Sequence, residues 1–186
     1  DFAPLLLYSS MPRSSKAEDF DEAIRARLED VYASREPEPE EPESRPPVAH
    51  AEVSSIAARL QAGSRKEKRK ALDALGKLAV LAEDVGILKE TQAAFREAGC
   101  VAPLVALARD GRVGDQQWRS SYALAMIAAN NQENQTAIRE AGGLEVLVGL
   151  MRDGTGGERK WALVGLAHLA NSNAENQAGI VQAGGL

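Results

Sequence analysis

The stretch Ala98-Gly99-Cys100-Val101-Ala102-Pro103-Leu104-Val105-Ala106-Leu107-Ala108-Arg109-Asp110-Gly111 returns 43 residues further along the chain. There it reads Ala141-Gly142-Gly143-Leu144-Glu145-Val146-Leu147-Val148-Gly149-Leu150-Met151-Arg152-Asp153-Gly154. After a further 42 residues a third copy opens as Ala183-Gly184-Gly185-Leu186. Between the copies, Leu124-Ala125-Met126-Ile127-Ala128 matches Leu166-Ala167-His168-Leu169-Ala170, and Glu133-Asn134-Gln135 matches Glu175-Asn176-Gln177. A period of this length, carried by several independent matches, is the mark of a helical solenoid in which no repeat buries its apolar faces alone.

Each repeat parses into three helices. A short first helix is expected over Asn134–Ala141, closed by Gly142-Gly143, since glycine reaches positive φ at little cost. The second helix carries Leu144, Leu147, Val148 and Met151 at i, i+3, i+4 and i+7, and Val101, Leu104, Val105 and Ala108 do the same one repeat earlier. Pro103 falls near that helix start, where its missing N–H does little harm. Asp153-Gly154 ends the second helix, and a third helix follows with Leu163, Leu166, Leu169 and Ala170. Leu104, Leu147 and Leu166 are expected in the core. Upstream, Val53, Ile56 and Leu60, then Ala71, Leu75, Leu78 and Ala79, supply the second and third helices of an earlier repeat. The stretch Leu81–Glu90 departs from the period, so it lengthens that third helix or adds a loop. Leu186 falls where another second helix opens, so the array is expected to continue beyond it.

Three regions follow from composition: 1–33, 34–50 and 51–186. Residues 1–14 read as an extended, partly apolar tail. An amphipathic helix is expected over about 15–33, opened by a Ser15/Glu18 capping box. Its stripe of Phe20, Ile24, Leu28, Val31 and Tyr32 needs a cover, either Val53 and Ile56 of the first repeat or another chain. Residues 34–50 hold five of the eight prolines and five glutamates, a composition that excludes helix and favours an extended acidic linker.

Small and straight-chain apolar residues dominate, with aromatics at only 4%, which suits closely packed helices and not a sheet core. A net charge of −5 argues against wholesale nucleic-acid binding. Cys100 stands alone, so neither an internal disulfide nor a zinc site is available, and a reducing intracellular compartment is expected. The cytoplasm is favoured, with an organelle left open because the chain begins at Asp1. No apolar run is long enough to span a membrane. His50 and His168 are far apart in sequence, and no convergent titratable set can be assembled, so neither catalysis nor a cofactor or metal is expected. Gly154–Lys160 lacks phosphate-loop spacing and follows a helix, so it reads as an inter-helix turn. Arg65-Lys66-Glu67-Lys68-Arg69-Lys70 is the one dense basic run, read as a solvated helix face; the alternatives are a nuclear-import tag or an acidic partner, for which Glu36–Glu43 of the same chain is a candidate.

The repeat pattern resembles the armadillo repeat family, with its Asn-rich start, Ala-Gly-Gly, Leu-rich helix, Asp-Gly and a third helix ending Leu-Ala. The likeness covers roughly Ala51–Leu186. It implies an all-α, right-handed superhelical solenoid of three-helix repeats, here preceded by an N-terminal helix and an extended arm. It also implies a non-catalytic protein–protein interaction scaffold whose third helices line the concave side. On that resemblance the partner-binding residues are Lys77, Tyr122, Met126, Trp161, Val164 and His168. Nuclear-import adaptors of the family pair Trp and Asn on the third helix. Here Asp73, Tyr122 and Val164 take the first position and Lys77, Met126 and His168 the second, which argues against that cargo. Trp118 and Trp161 sit near third-helix starts, one residue out of register, where helix–helix packing is the expected job and partner anchoring the alternative. Two rival readings remain open: a structural subunit of a large complex anchored by its N-terminal arm, and the targeting module of a longer enzyme such as a ubiquitin ligase.

Overall fold

The structure, a computed structural model, describes residues 50–84, 86–110 and 115–185. The expectations for the tail, the helix over 15–33 with its apolar stripe and the linker up to residue 49 lie outside the described residues. Among those described, every regular element is an α-helix. In chain order they are α1 (His50–Ala62), α2 (Arg65–Asp84), α3 (Leu88–Glu97), α4 (Val101–Arg109), α5 (Asp115–Ala128), α6 (Gln132–Glu140), α7 (Gly143–Asp153), α8 (Gly156–Ala170) and α9 (Ala174–Gln182). The repeats are legible in this order. α1 and α2 are a second and a third helix, α3–α5 and α6–α8 are complete repeats, and α9 is another first helix.

Two boundaries differ from the sequence reading, and one alternative it left open is decided. His50, placed at the end of the linker, is the first residue of α1. The anomalous stretch after Leu81 prolongs the third helix, since α2 runs 20 residues to Asp84, and Gly86 at φ +72 then leads into α3. The first helix of the third repeat begins at Gln132 and not Asn134, because Asn131 is its cap: extended at φ −133°, it accepts a hydrogen bond from the Asn134 N–H at 3.0 Å. Asn173 does the same for Asn176 at 3.1 Å, so the cap is part of the repeat.

Turns within each repeat are set by two further devices. Gly99, Gly142 and Gly184 take φ between +73° and +82°, the left-handed region, and turn the chain from first to second helix. At the start of third helices, Ser64/Glu67 and Thr155/Glu158 form capping boxes, the glutamate reaching back to the cap N–H at 2.7 Å in both. Glycine precedes each box because the second helix ends directly above it. A Cβ on Gly154 would stand 2.3 Å from the Leu150 carbonyl oxygen, and one on Gly63 2.4 Å from that of Arg59.

The core is continuous from α1 to α8. Val53, Ile56, Leu60, Leu75, Phe95, Leu104, Leu124, Leu147 and Leu169 are buried in it, with Leu166 close behind. Leu163 is a correction: it is 36% exposed, and Ala162 takes the core place instead. The core stripe of α8 runs Ala162, Leu166, Leu169, and Leu163 lies about 100° of helix rotation away from Ala162.

Polar side chains lock these helices in register. Asn134, fully buried, donates through Nδ2 to the Ile127 carbonyl at 2.8 Å and the Gln92 carbonyl at 3.1 Å, while its Oδ1 accepts from Arg96 at 2.8 Å. Asn176 repeats the first two bonds to Leu169 (2.9 Å) and Gln135 (3.4 Å). Gln92 donates to the carbonyls of Met126 at 2.9 Å and Ala129 at 3.0 Å, and Gln135 to those of His168 at 2.9 Å and Ala128 at 3.3 Å. These carbonyls belong to third-helix ends, which have no intrahelical partners. Arg96–Glu133 and Arg139–Glu175, each 2.6 Å, tie successive first helices at the rim.

Two substitutions test this framework. Leu147→Ala should cost about 2–5 kcal/mol, the range for large-to-small core changes. Asn134→Ala removes no comparable apolar area, yet it strands buried carbonyls and should still cost about 1–3 kcal/mol. Urea denaturation of both variants measures this; wild-type stability for Asn134→Ala would mean the ladder is incidental.

Candidate functional site

The third helices α2, α5 and α8 pack on one another in succession, with Leu75, Leu124 and Leu166 at equivalent buried positions. That register lays out cross-helix rows beside the leucines. One row is Lys77, Met126 and His168, and the next is Asp73, Tyr122 and Val164. A third is Lys70, Arg119 and Trp161.

Across these rows the side chains interlock. Gly76 gives α5 room to approach: a Cβ there would stand 2.9 Å from Tyr122 Cε1. Tyr122 in turn meets Trp161 edge-to-face, with ring centroids 4.5 Å apart and planes at 68°. The Arg119 guanidinium lies 4.5 Å from the Trp118 ring centroid and pairs with Asp73 on α2. Lys160 Nζ lies 5.1 Å from the Trp161 centroid. Arg69 and Asp115 pair at 3.5 Å nearer the helix starts.

Of the residues expected to bind a partner, the structure therefore brings five together on α5 and α8, with Lys77 on α2 beside them. Their accessibility differs. Tyr122 is 5% exposed and Trp161 8%, so the rings expected as anchors are largely buried and act as a floor. Met126, Val164 and His168 are half-buried, and Lys77 is exposed. For Trp161, packing on the neighbouring third helix is the observed role. The polar ladder reaches this face from behind, because Gln92 and Gln135 hold the main-chain carbonyls of Met126 and His168. Glu133-Asn134-Gln135 was visible in the sequence as a repeated marker, but its role was missed. Repetition of buried-type amides at a fixed offset was the available signal. A second missed match, Gly63-Ser64 with Glu67 against Gly154-Thr155 with Glu158, marks the third-helix starts.

Burial pushes the His168 imidazole below its ordinary value of 6.5, so it is neutral at pH 7. The sign follows: the unfolded chain binds this proton more tightly, so His168 lowers stability only as pH falls below about 6.5. Cys100 is fully buried and its thiol is pushed up to about 11 by desolvation, which leaves it protonated and inert. Among the described residues no group of three or more His, Cys, Asp or Glu side chains is arranged to hold a metal ion. No described helix is long and apolar enough to cross a membrane.

Comparison with known proteins bears on the fold. No family model and no curated protein matches the chain. Among solved structures, one engineered protein is similar at 32% identity and a TM-score of 0.64, over 72% of this chain and 31% of its own. A second engineered protein gives 31% identity and the same TM-score, with 51% of its length covered. This chain thus spans about a third and about a half of the two. A designed armadillo repeat protein in complex with the peptide (KR)4 is 23% identical with a TM-score of 0.51, over 71% of this chain and 70% of that one. The described helices form an armadillo-like solenoid.

Proposed function

We propose that this chain is a non-catalytic protein-binding scaffold that receives an extended segment of another protein across α2, α5 and α8. The observation that carries this is the half-buried row of Met126 and His168 with Val164 beside them, set on the rigid floor of Tyr122 and Trp161. Such a surface suits recognition. Its main chain is pinned by Gln92 and Gln135, so little order has to be gained on binding. Met126 adapts to an irregular apolar contact, while the rings beneath hold their shape. Similar folds support the reading: one designed neighbour is in complex with (KR)4, and another set was designed for modular peptide recognition.

A photo-crosslinking residue at Met126 tests the proposal. It should capture a partner protein, whereas the same residue at exposed Arg152 on α7 should not; equal capture from both positions would remove this face from consideration. With a partner in hand, Met126→Ala combined with His168→Ala should weaken binding at least tenfold, about 1.4 kcal/mol. Tyr122→Ala should lower both the melting temperature and the affinity, because the ring belongs to the floor.

A further inference from the structure

The first two turns of α2 break a local rule of helix design. A helix N-terminus carries partial positive charge, so cations there are unfavourable. Yet Arg65, Lys66, Lys68, Arg69 and Lys70 occupy five of the first six positions of α2. The one acid among them, Glu67, is held below the usual carboxylate range chiefly by its hydrogen bonds from the Ser64 cap, with Arg59 and Lys70 adding a smaller pull. It is committed to the cap. Positions where local preference is violated are where a fold most often serves something other than its own stability.

The cations are also ordered in space. Lys66, Lys70 and Lys77 follow at spacings of four and seven, with Asp73 between them, so all four fall on one stripe of α2. The three lysines are exposed and belong to no ion pair among the described residues, whereas Asp73 is taken by Arg119. Leu81, 56% exposed, stands one turn beyond Lys77 on the same side. This cationic stripe belongs to a chain whose net charge is −5, so the positive charge is concentrated against the overall balance. It adjoins the row of Lys77, Met126 and His168.

We infer that the partner segment is acidic: an extended peptide of another protein, with carboxylates on alternate residues, whose acidic part lies along Lys66, Lys70 and Lys77. Its other part continues over Met126, Val164 and His168. This deepens the scaffold reading above and rests on it. The spacing fits. Alternate side chains of an extended chain recur on one side at roughly 6.6–6.8 Å. Lys66 and Lys70 are about 6 Å apart along α2, and flexible lysine stems absorb the difference. From Lys66 to Lys77 is about 16 Å, the reach of about five extended residues. An acidic ligand is also the one whose charge relieves the unfavourable helix N-terminus.

Fluorescence anisotropy of the whole chain with a labelled peptide of alternating Glu and Ser tests this. That peptide should bind at least tenfold more tightly than its Gln-for-Glu and Lys-for-Glu counterparts, and its affinity should fall as salt rises. Lys66→Glu with Lys70→Glu should abolish the preference. Acids are favourable in the first turns of a helix, so this variant keeps its fold, and an unshifted melting curve verifies it. The inference is overturned by equal binding of Glu and Gln peptides, by no effect of the charge reversal, or by tighter binding of a single-stranded oligonucleotide than of the Glu peptide. If Glu peptide binds only after Glu36, Glu38, Glu40, Glu41 and Glu43 are changed to Gln, the occupant is the chain's own acidic segment and the inference also falls. Tighter binding of the Lys peptide, lost on Met126→Ala, would leave the scaffold reading standing without its acidic partner.

Discussion

Asn134 holds the array together in a way that no apolar contact can. Its side chain satisfies the carbonyls of Ile127 and Gln92 and is itself gripped by Arg96, so one buried amide joins three helices. Apolar packing is non-directional and tolerates sliding; a buried hydrogen bond does not, because an unmet carbonyl costs free energy wherever the slide leaves it. Gln92 and Gln135 extend the same constraint to the ends of α5 and α8. Carbonyls in those last turns lack intrahelical donors; Ala128 and His168 also accept from the Asn131 and Asn171 N–H groups. The register so fixed decides which third-helix residues become neighbours, and hence what the face presents.

Much of this was legible in the sequence, and the reasons divide cleanly. The second helices read well because Val101, Leu104, Val105 and Ala108, and Leu144, Leu147 and Val148 one repeat on, obey helical periodicity and are buried; only Met151 is half-buried, with Leu150 covered in its place. The third helices read less well. They pack against neighbours on more than one side, as α5 shows with ten buried residues in 14, so periodicity does not single out one face. That is why Leu163 was misassigned while Ala162, smaller and less conspicuous, holds the core position. First-helix starts slipped by two residues because Asn131 acts through a side-chain cap, which an apolar pattern does not register.

The candidate face was legible as a set of positions and not as a surface. The armadillo resemblance placed Lys77, Tyr122, Met126, Trp161, Val164 and His168 on third helices, and the structure does bring the residues of α5 and α8 together. Their division into floor and contact row depends on the depth of each side chain, and that depth depends on Gly76. Without a Cβ at Gly76, α2 admits the Tyr122 ring, which then meets Trp161. Nothing in the spacing of Tyr122 and Met126, one turn apart on the same helix, distinguishes a buried ring from a half-buried thioether.

Comparing equivalent positions across the three third helices separates what the fold requires from what it leaves free. At the core position the residues are Leu75, Leu124 and Leu166, identical and buried. At the adjoining positions they are Lys77, Met126 and His168; then Asp73, Tyr122 and Val164; then Lys70, Arg119 and Trp161, of which Tyr122 and Trp161 are buried. The same leucine recurs because each repeat has to bury this position against its neighbours. The adjoining rows are not held to one residue type, and there the three helices differ in charge, size and polarity. The result is a face with direction: cationic along α2, and half-buried Met126, Val164 and His168 from α5 to α8. A uniform face would bind an extended segment equally well in either sense along the rows. A graded one discriminates: an acidic segment of the kind proposed above would, if reversed, set its carboxylates against half-buried Val164, where desolvation is costly.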